Sequence, residues 1–174
     1  MNVFMPCATI EDSVRALDNK RLIKQILECE QILEANKRVN EGEQKVGYAN
    51  HPIVKHYRDL GWGGTLFLIL YEWACCREYK KRFGKDHHAY DVLFEYWMGL
   101  VTCKDPTNPL KGYKIPPIMY AEGSIKSPNC IRETDSEKVF ELFKQKLIKK
   151  WNSDKYPPRW TNRGKPSWYK GERK

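Results

Sequence analysis

The stretch LDNKRLIKQILECEQIL, residues 17–33, alternates apolar and polar residues with the period of an α-helix. At about 100° per residue, four apolar side chains share one side of such a helix: Leu22, Ile26, Cys29 and Leu33. The polar side chains gather opposite them: Lys20, Lys24 and Gln31, with Glu28 beside them. The apolar side predicts packing on a core. The polar side is a candidate functional face, because Lys20 and Lys24 carry like charges at a spacing where they repel each other.

The composition indicates one globular domain. A chain of 174 residues with six Trp, ten Tyr and six Phe has enough apolar material for a single sizeable core. No apolar run reaches membrane-spanning length, and the opening residues, MNVFMPCATIEDS, lack the pattern of a secretion signal. We therefore expect a cytoplasmic protein without membrane association. Cys29, Cys75 and Cys76 sit in apolar helical patterns, which favours buried, reduced thiols over disulfides.

The apolar patterns predict an all-α fold, a single compact domain over residues 1–174 with long, ordered, proline-rich loops. Residues 2–6 form either a buried strand or an extended arm leading to Thr9, a candidate N-cap. Five helices are predicted: residues 10–37, a segment from a cap at Asn50 to about Leu60, residues 65–83, a segment from about His88, and a last one from a cap at Asp135 or Ser136.

Glycine and proline mark the ends of these helices. The motif GWGG, residues 61–64, predicts a turn or a close backbone approach, and Gly84 predicts the end of the third helix. Residues 105–130 contain IPPIMY and SPNC, and a segment of this length without periodicity is typical of a functional or wrapping loop. The prolines of YPPRWTNRGKPSWY, residues 156–169, exclude a helix there.

The net charge of +9 is concentrated at the C-terminal end. From Lys144 to Lys174, eleven Lys or Arg residues face only two acidic residues, Asp154 and Glu172. In the segment 151–174 these cations alternate with Trp and Tyr, a composition that suits contact with phosphates and stacking on bases. The alternative is a solvated basic end whose aromatic side chains pack back on the core.

Common site motifs are missing from the sequence. It has no phosphate-binding glycine loop and no Gly-x-Ser-x-Gly motif, and its four histidines do not combine with cysteines at zinc spacings. We therefore expect neither a metal site nor a cofactor. Three polar features remain: the Lys/Glu face of the first long helix, NHP at residues 50–52, and GKDHH at residues 84–88. Histidines at helix ends often serve as caps, which is the structural alternative for the last two features.

Two sets of motifs resemble the pyrimidine-dimer DNA glycosylase (endonuclease V-like) family. SVRALDNKRLIKQILECEQIL, YANHPIVKHYRDL and YEW resemble its bacterial branch, with the pattern LD-x-x-RL-x-KQ-x-x-E-x-x-QIL and a later N-H-P. YKKRFGKDH and the ending DSEKVFELFKQKLIKKW…PPRWTNRGKPSWY are similar to a phage branch of the same grouping. The resemblance spans most of the chain.

The resemblance implies a compact, mainly helical enzyme that flips a nucleotide out of duplex DNA and cleaves its glycosidic bond. The family uses a glutamate on the first long helix and an N-terminal α-amine, which match Glu28 and Met1. The remaining candidates for the catalytic set are Lys24, Asn50 and His51. The candidate DNA-binding residues are Lys20, Arg21, Gln25, Lys85, His87, Trp160, Arg163 and Lys165. The expected partner is duplex DNA with a damaged or modified pyrimidine, bound by a monomer.

One departure from the family leaves the nucleophile open. The phage repair enzyme loses its initiating Met to expose a small residue, whereas Asn2 is poor for such processing. Met1 then either attacks through its own amine or is inert, leaving a monofunctional glycosylase that relies on Glu28. Two other hypotheses stay open at this stage: a non-catalytic nucleic-acid-binding module, and an enzyme acting on free modified nucleotides.

Overall fold

The fold is all-α, as the sequence predicts. The computed structural model describes residues 1–94 and 136–171, and these residues contain no strand. The helices are α1 (Ile10–Ala16), α2 (Asn19–Asn40), α3 (Pro52–Asp59), α4 (Trp62–Phe83), α5 (its described part, residues 89–94) and α6 (Ser136–Ser153). The predicted loop at residues 105–130 and the candidate cap Asp135 lie outside the described residues, whereas Ser136, the other candidate cap, is the first residue of α6. None of the described helices combines the length and apolar character needed to cross a membrane.

The α2/α4 pair forms the centre of the molecule, and α1 and α3 also pack on α4. The apolar stripe of α2 is buried as predicted, with Leu22, Ile26 and Cys29 at 0 % exposure. Helix α4 buries apolar residues around much of its circumference, and α6 adds four core residues: Val139, Phe143, Leu147 and Trp151. Full burial of such side chains contributes about 1.5–3 kcal/mol each, so the core is the main source of stability.

The single helix predicted over residues 10–37 is wrong, because the structure contains two helices with a break between them. Leu17 ends α1 with extended backbone (ψ 138°), and Asp18 precedes α2 with ψ 165°. The Asp18 carboxylate makes no capping hydrogen bond to α2. Instead it accepts a hydrogen bond of 2.7 Å from the Trp151 indole N–H and pairs with Arg21. A distant part of the chain therefore stabilises the break.

The carbonyl groups that α1 leaves free at its end also have partners from outside the helix. The Arg82 guanidinium on α4 donates hydrogen bonds to the carbonyl oxygens of Leu17 (2.8 Å) and Arg15 (3.1 Å). The Trp160 indole N–H donates to the carbonyl oxygen of Ala16 (3.1 Å). Since the last carbonyls of a helix lack partners within it, these donors offset the cost of ending α1 in a buried place.

The N-terminal residues form the extended arm, not a strand. Val3, Phe4 and Met5 are buried, at 4 % exposure or less, in the core cluster. Thr9 caps α1 as predicted, because its hydroxyl oxygen accepts a hydrogen bond from the Asp12 backbone N–H at 3.1 Å. The first residues of the arm are therefore held by core packing, and its last residue is held by the hydrogen bond that caps α1.

The α3 and α4 boundaries differ from the predictions by one to three residues. The cap of α3 is His51 and not Asn50, because the His51 Nδ1 accepts from the Ile53 N–H at 3.2 Å. Helix α4 begins at Trp62, after Gly61 with φ +57°. The predicted close approach in GWGG is found at Gly64, where a Cβ would lie 2.2 Å from the Tyr57 carbonyl oxygen. Gly84, with φ +70°, ends α4 as predicted.

The C-terminal aromatic residues pack on the core. Trp151 is 0 % exposed, and Trp160, Trp168 and Tyr169 surround it with ring centroids 4.7–5.4 Å away. Tyr156 differs, since it is 70 % exposed. The packing alternative is therefore right for these four residues. The predicted free, buried thiols are confirmed at Cys29, Cys75 and Cys76.

Candidate active site

The site forms where the N-terminal arm crosses α2. Glu28 faces this arm, and its side chain is 8 % exposed. Its Oε1 lies 4.0 Å from the Met1 amine nitrogen, and its Oε2 accepts a hydrogen bond of 3.2 Å from the Asn2 backbone N–H. The Met1 side chain is only 5 % exposed. Packing of Met1 therefore holds the amine beside the carboxylate.

Lys24 approaches the same carboxylate from the solvent side. Its Nζ lies 3.7 Å from the Glu28 Oε1, and its side chain is 61 % exposed. One oxygen of Glu28 thus has a cationic group on each of two sides, the Met1 amine and the Lys24 ammonium. A nearly buried carboxylate needs such partners because burial without them is costly.

His51 is close enough for its titration to respond to the same charges. Burial lowers the pKa of His51, and the positive N-terminal amine lowers it further, while Glu28 opposes the shift. A histidine with a lowered pKa is neutral at pH 7. Because the His51 Nδ1 accepts a hydrogen bond from Ile53, the neutral ring carries its proton on Nε2 and acts there as a donor. Asn50, the residue before it, is exposed.

The candidate DNA-binding residues are divided between surface and interior. Lys85 and Lys165 are exposed, and the 68 %-exposed side chain of Lys20 places its Nζ 3.3 Å from Asp154. In contrast, Arg21 is 7 % exposed and forms ion pairs with Asp18 and Asp154. The hydrogen bond from Arg21 lowers the pKa of Asp154 against a smaller effect of burial. These pairs give Arg21 a structural role in tying α2 to the end of α6.

Three other candidates also have partners within the protein. The His87 Nδ1 accepts a hydrogen bond of 3.2 Å from the Ala89 backbone N–H at the start of α5. Trp160 binds the end of α1 and packs on Trp151. The Arg163 guanidinium contacts both carboxylate oxygens of Glu78, at 2.9 and 3.1 Å. Contact of these side chains with DNA stays a prediction.

Gln25 is 1 % exposed and makes its hydrogen bonds to the arm and to Glu28, so it lies in the site but behind its surface.

Two contributors to the site were missed by sequence reasoning. The backbone N–H of Asn2 has no signature in the sequence, because every residue except proline carries such a group. Tyr71 is the second contributor, because its hydroxyl contacts the Phe4 carbonyl oxygen and the Gln25 Oε1. It lies within an apolar helical pattern, and such a pattern does not distinguish a hydrogen-bonding tyrosine from one that only packs.

A groove of about 390 Å³ lies between α2 and the loop before α3, and its lining does not include Met1, Lys24, Glu28 or His51. Leu27 and Gln31 line it from α2, together with Tyr48 from the loop before His51. Leu27 is 50 % exposed and Tyr48 is 60 % exposed, which leaves apolar surface open in this groove. A groove of about 470 Å³ between α1 and α4, lined by Thr9, Trp73 and Arg77 among others, does not include the site residues.

The fold and the site together define a helical domain with a nearly buried carboxylate next to an α-amine. A family model for pyrimidine dimer DNA glycosylases matches residues 1–91, more than half of the 174-residue chain. The chain belongs to the pyrimidine dimer DNA glycosylase family. No curated protein and no solved structure matches the chain significantly. The matched segment contains Met1, Lys24, Glu28 and His51.

Within residues 1–94 and 136–171, no group of His, Cys, Asp and Glu side chains is arranged to hold a metal ion.

Proposed function

We propose that the protein is a DNA glycosylase that removes a damaged or modified pyrimidine from duplex DNA, with Glu28 as its catalytic carboxylate. The observation that carries this proposal is the 4.0 Å separation between the Glu28 Oε1 and the Met1 amine at a nearly buried position. Membership of the glycosylase family supports the same reaction class. The exposed Lys20, Lys24, Lys85 and Lys165 supply the cations that would contact phosphates.

The proposed reaction breaks the bond between C1′ of the deoxyribose and N1 of the pyrimidine. The base leaves with the electron pair of that bond, and positive charge develops on the sugar. The Glu28 carboxylate stabilises this charge electrostatically in a site where little water screens it. The departing base carries negative charge and takes up a proton from water. The neutral His51, with its proton on Nε2, is proposed to donate a hydrogen bond to this base and so stabilise it as it leaves.

The α-amine of Met1 is the proposed nucleophile at C1′. In its neutral form it donates its lone pair to C1′ as the bond from C1′ to the base breaks, and the attacking nitrogen then loses a proton. The C1′–O4′ bond opens next, O4′ takes up a proton, and the nitrogen lone pair forms the double bond of a protonated imine with C1′. As a class, α-amines are less basic than lysine side chains, and a less basic amine is the better candidate for a nucleophile near neutral pH. Strand cleavage by β-elimination would follow from the imine. Lys24 is the alternative amine, because its Nζ is also within 4 Å of Glu28.

The test is incubation with duplexes that carry a panel of damaged and modified pyrimidines, scored for abasic sites. In Glu28→Gln the side chain keeps its size and loses its charge. Base release should slow by at least about a hundredfold, as for other preorganised charge stabilisers. Duplex affinity should persist, because removing a carboxylate near phosphates does not weaken their binding. Glu41→Gln, at the exposed end of α2, is the matched control and should retain full activity.

Borohydride reduction tests the amine separately, since only an imine is converted to a stable protein–DNA link. Trapping that disappears when the N-terminus is acetylated assigns the nucleophile to Met1. Trapping that persists after acetylation and disappears in Lys24→Met assigns it to Lys24. Base release without any trapping indicates a monofunctional glycosylase. A Glu28→Gln protein with full base release would contradict the proposed role of Glu28.

A further inference from the structure

The side-chain amide of Gln25 uses its hydrogen-bonding capacity to join the arm to Glu28. Its Nε2 donates to the Asn2 carbonyl oxygen at 2.7 Å and to the Glu28 Oε2 at 2.8 Å. Its Oε1 accepts from the Phe4 backbone N–H at 2.8 Å. A glutamine amide has two N–H donors, so the two bonds from Nε2 use both.

Tyr71 completes this arrangement from α4. Its hydroxyl lies 2.6 Å from the Phe4 carbonyl oxygen and 3.3 Å from the Gln25 Oε1. Because a hydroxyl has one hydrogen, the shorter contact is the main hydrogen bond and the longer one shares it. Tyr71 thereby fixes the backbone of Phe4, whose N–H fixes the oxygen end of the Gln25 amide. Both side chains are buried, at 0 % and 1 % exposure.

The partners permit only one orientation of the amide. If the amide rotated by 180°, its oxygen would face the Asn2 carbonyl oxygen and the Glu28 carboxylate, and its NH₂ group would face the Phe4 N–H. Each of these pairs would place two acceptors or two donors together in the protein interior, where such groups are not rescued by water. Gln25 therefore sets the position of the arm relative to the Glu28 carboxylate.

We propose that Gln25, held in place through Phe4 by Tyr71, is a positioning residue that keeps the Met1 amine and the Glu28 carboxylate aimed at the same sugar carbon. This inference rests on the function proposed above. Two groups that act on one atom must be placed accurately, since a misplacement of about 1 Å costs on the order of a hundredfold in rate. Gln25 does not itself touch the substrate, because it is covered by the arm.

The first part of the test measures the placement itself. Gln25→Met keeps the length of the side chain and removes its hydrogen bonds. Exchange of the Phe4 amide hydrogen, followed by NMR, should accelerate by up to about tenfold, as expected for the loss of one hydrogen bond. Amides in the middle of α4 should change far less. Tyr71→Phe should accelerate Phe4 exchange in the same direction by a smaller factor, because the Gln25 bond to Phe4 remains.

The second part measures the ratio of borohydride-trapped protein to base released in a single turnover. This ratio does not depend on the fraction of folded enzyme, so a merely destabilising substitution leaves it unchanged. In Gln25→Met the ratio should fall at least about fivefold and base release about a hundredfold, while duplex Kd stays within about twofold of the wild type. Leu33→Ala is the matched control, because it removes buried apolar atoms from the same helix about two turns away from the amide. It should lower Tm and leave the ratio unchanged.

An unchanged ratio in Gln25→Met, or unchanged exchange at Phe4, would overturn the positioning role even if stability fell. If the wild type releases no base from any duplex, the proposed function fails, and the catalytic meaning of Gln25 fails with it. If the wild type releases bases without trapping, the amine has no part in the reaction, and positioning of two groups is overturned. Failure of the inference alone thus differs from failure of the proposed function.

Discussion

Glu72 shows how a single residue in the core sets a pH dependence. It lies on α4 at 1 % exposure, and its Oε2 is a buried atom without a hydrogen-bond partner within the part of the chain that the structure describes. Burial, with a smaller contribution from Glu30, raises the pKa of Glu72 to about 9. The carboxyl group is therefore protonated in the folded protein at neutral pH and ionised in the unfolded chain.

Replacing Glu72 by Gln should change how the free energy of unfolding depends on pH. The pKa of Glu72 is higher in the folded protein than in the unfolded chain. The protonated Glu72 therefore contributes its full stabilisation below pH 4.5, and the free energy of unfolding of the wild type falls as the pH rises towards about 9. Glu72→Gln has no such proton to lose. Its stability relative to the wild type should therefore increase by up to about 1.4 kcal/mol per pH unit between pH 5 and 8. Urea denaturation at several pH values measures this slope.

The control for this measurement is Glu11→Gln, an exposed carboxylate on α1. Its stability curve should run parallel to that of the wild type over the same range. A Glu72→Gln curve that also ran parallel would mean that Glu72 is ionised in the folded protein. Only the slopes of the Glu72→Gln and wild-type curves are compared. A constant difference in the free energy of unfolding also includes the cost of burying the new amide, which needs hydrogen-bond partners of its own.

Single residues of the site could be predicted only in part from the sequence. Glu28 stands beside the polar stripe of an amphipathic helix, so the helical period and the family resemblance both select it. Gln25 belongs to the same helix, yet the period predicts only that it borders the polar side. Its buried position depends on the arm, whose path is set by tertiary packing of Val3, Phe4 and Met5. Periodicity within a helix contains no information about a segment that crosses it.

Among the helix boundaries, the break between α1 and α2 depends most on residues that are distant in sequence. Arg82 lies on α4 at 1 % exposure, and its guanidinium bonds to Glu78, to Asn19 and to two carbonyl oxygens of the α1 end. Burial opposes the ionisation of Glu78, but hydrogen bonds from Arg163 and Arg82 outweigh it and lower the pKa of Glu78. The buried Glu78 carboxylate is therefore ionised at neutral pH.

Arg82→Met should destabilise the protein by about 3–5 kcal/mol, because it leaves a buried carboxylate short of a partner and removes the donors to the Leu17 and Arg15 carbonyl oxygens. The methionine keeps most of the apolar stem, so the loss reports mainly on the guanidinium. Chemical denaturation measures the change. Arg77→Met, five residues earlier on the exposed side of α4, should change stability by less than about 0.5 kcal/mol. Equal effects at the two positions would contradict the role of Arg82.

The helices that could be predicted well are those whose signals are local. Gly84 ends α4 with a left-handed backbone, and Thr9 caps α1 through its own hydroxyl, so both boundaries follow from nearby residues. The α1/α2 boundary does not, since Leu17 and Asp18 continue a helical pattern without Gly or Pro. Partners more than 60 residues away in sequence, among them Arg82, Trp151 and Trp160, stabilise the break.

At the scale of the whole molecule, the charge of +9 favours the proposed binding to duplex DNA, to which counterion release would contribute. If the protein neutralises about five phosphates of a duplex, the logarithm of the binding constant should fall with the logarithm of salt concentration with a slope of about −4.5. Fluorescence anisotropy with a labelled duplex between 50 and 300 mM salt measures this slope. A slope near −1 would instead favour an enzyme for free nucleotides.

The C-terminal segment shows the limit of composition as a guide to the whole molecule. Alternating cations and aromatic residues favoured both DNA contact and core packing. The structure places Trp151, Trp160, Trp168 and Tyr169 in one aromatic cluster and pairs Arg163 with Glu78. An aromatic residue faces inward only where another part of the protein offers a surface to pack on. Here that surface is at the break between α1 and α2, and amino-acid composition contains no information about it. The exposed Tyr156 and Lys165 remain available for DNA.

The buried N-terminal arm determines how recombinant protein has to be made. The Met1 side chain is almost fully covered, and the amine nitrogen lies 4.0 Å from Glu28, so residues added ahead of Met1 would disturb the amine that is proposed to attack the sugar. An affinity tag at this end, or the short scar left after its removal, would turn the amine into an amide and displace it from the carboxylate. Lys170 and Gly171, at the other end of the described chain, are exposed, and a tag fused beyond them avoids the problem.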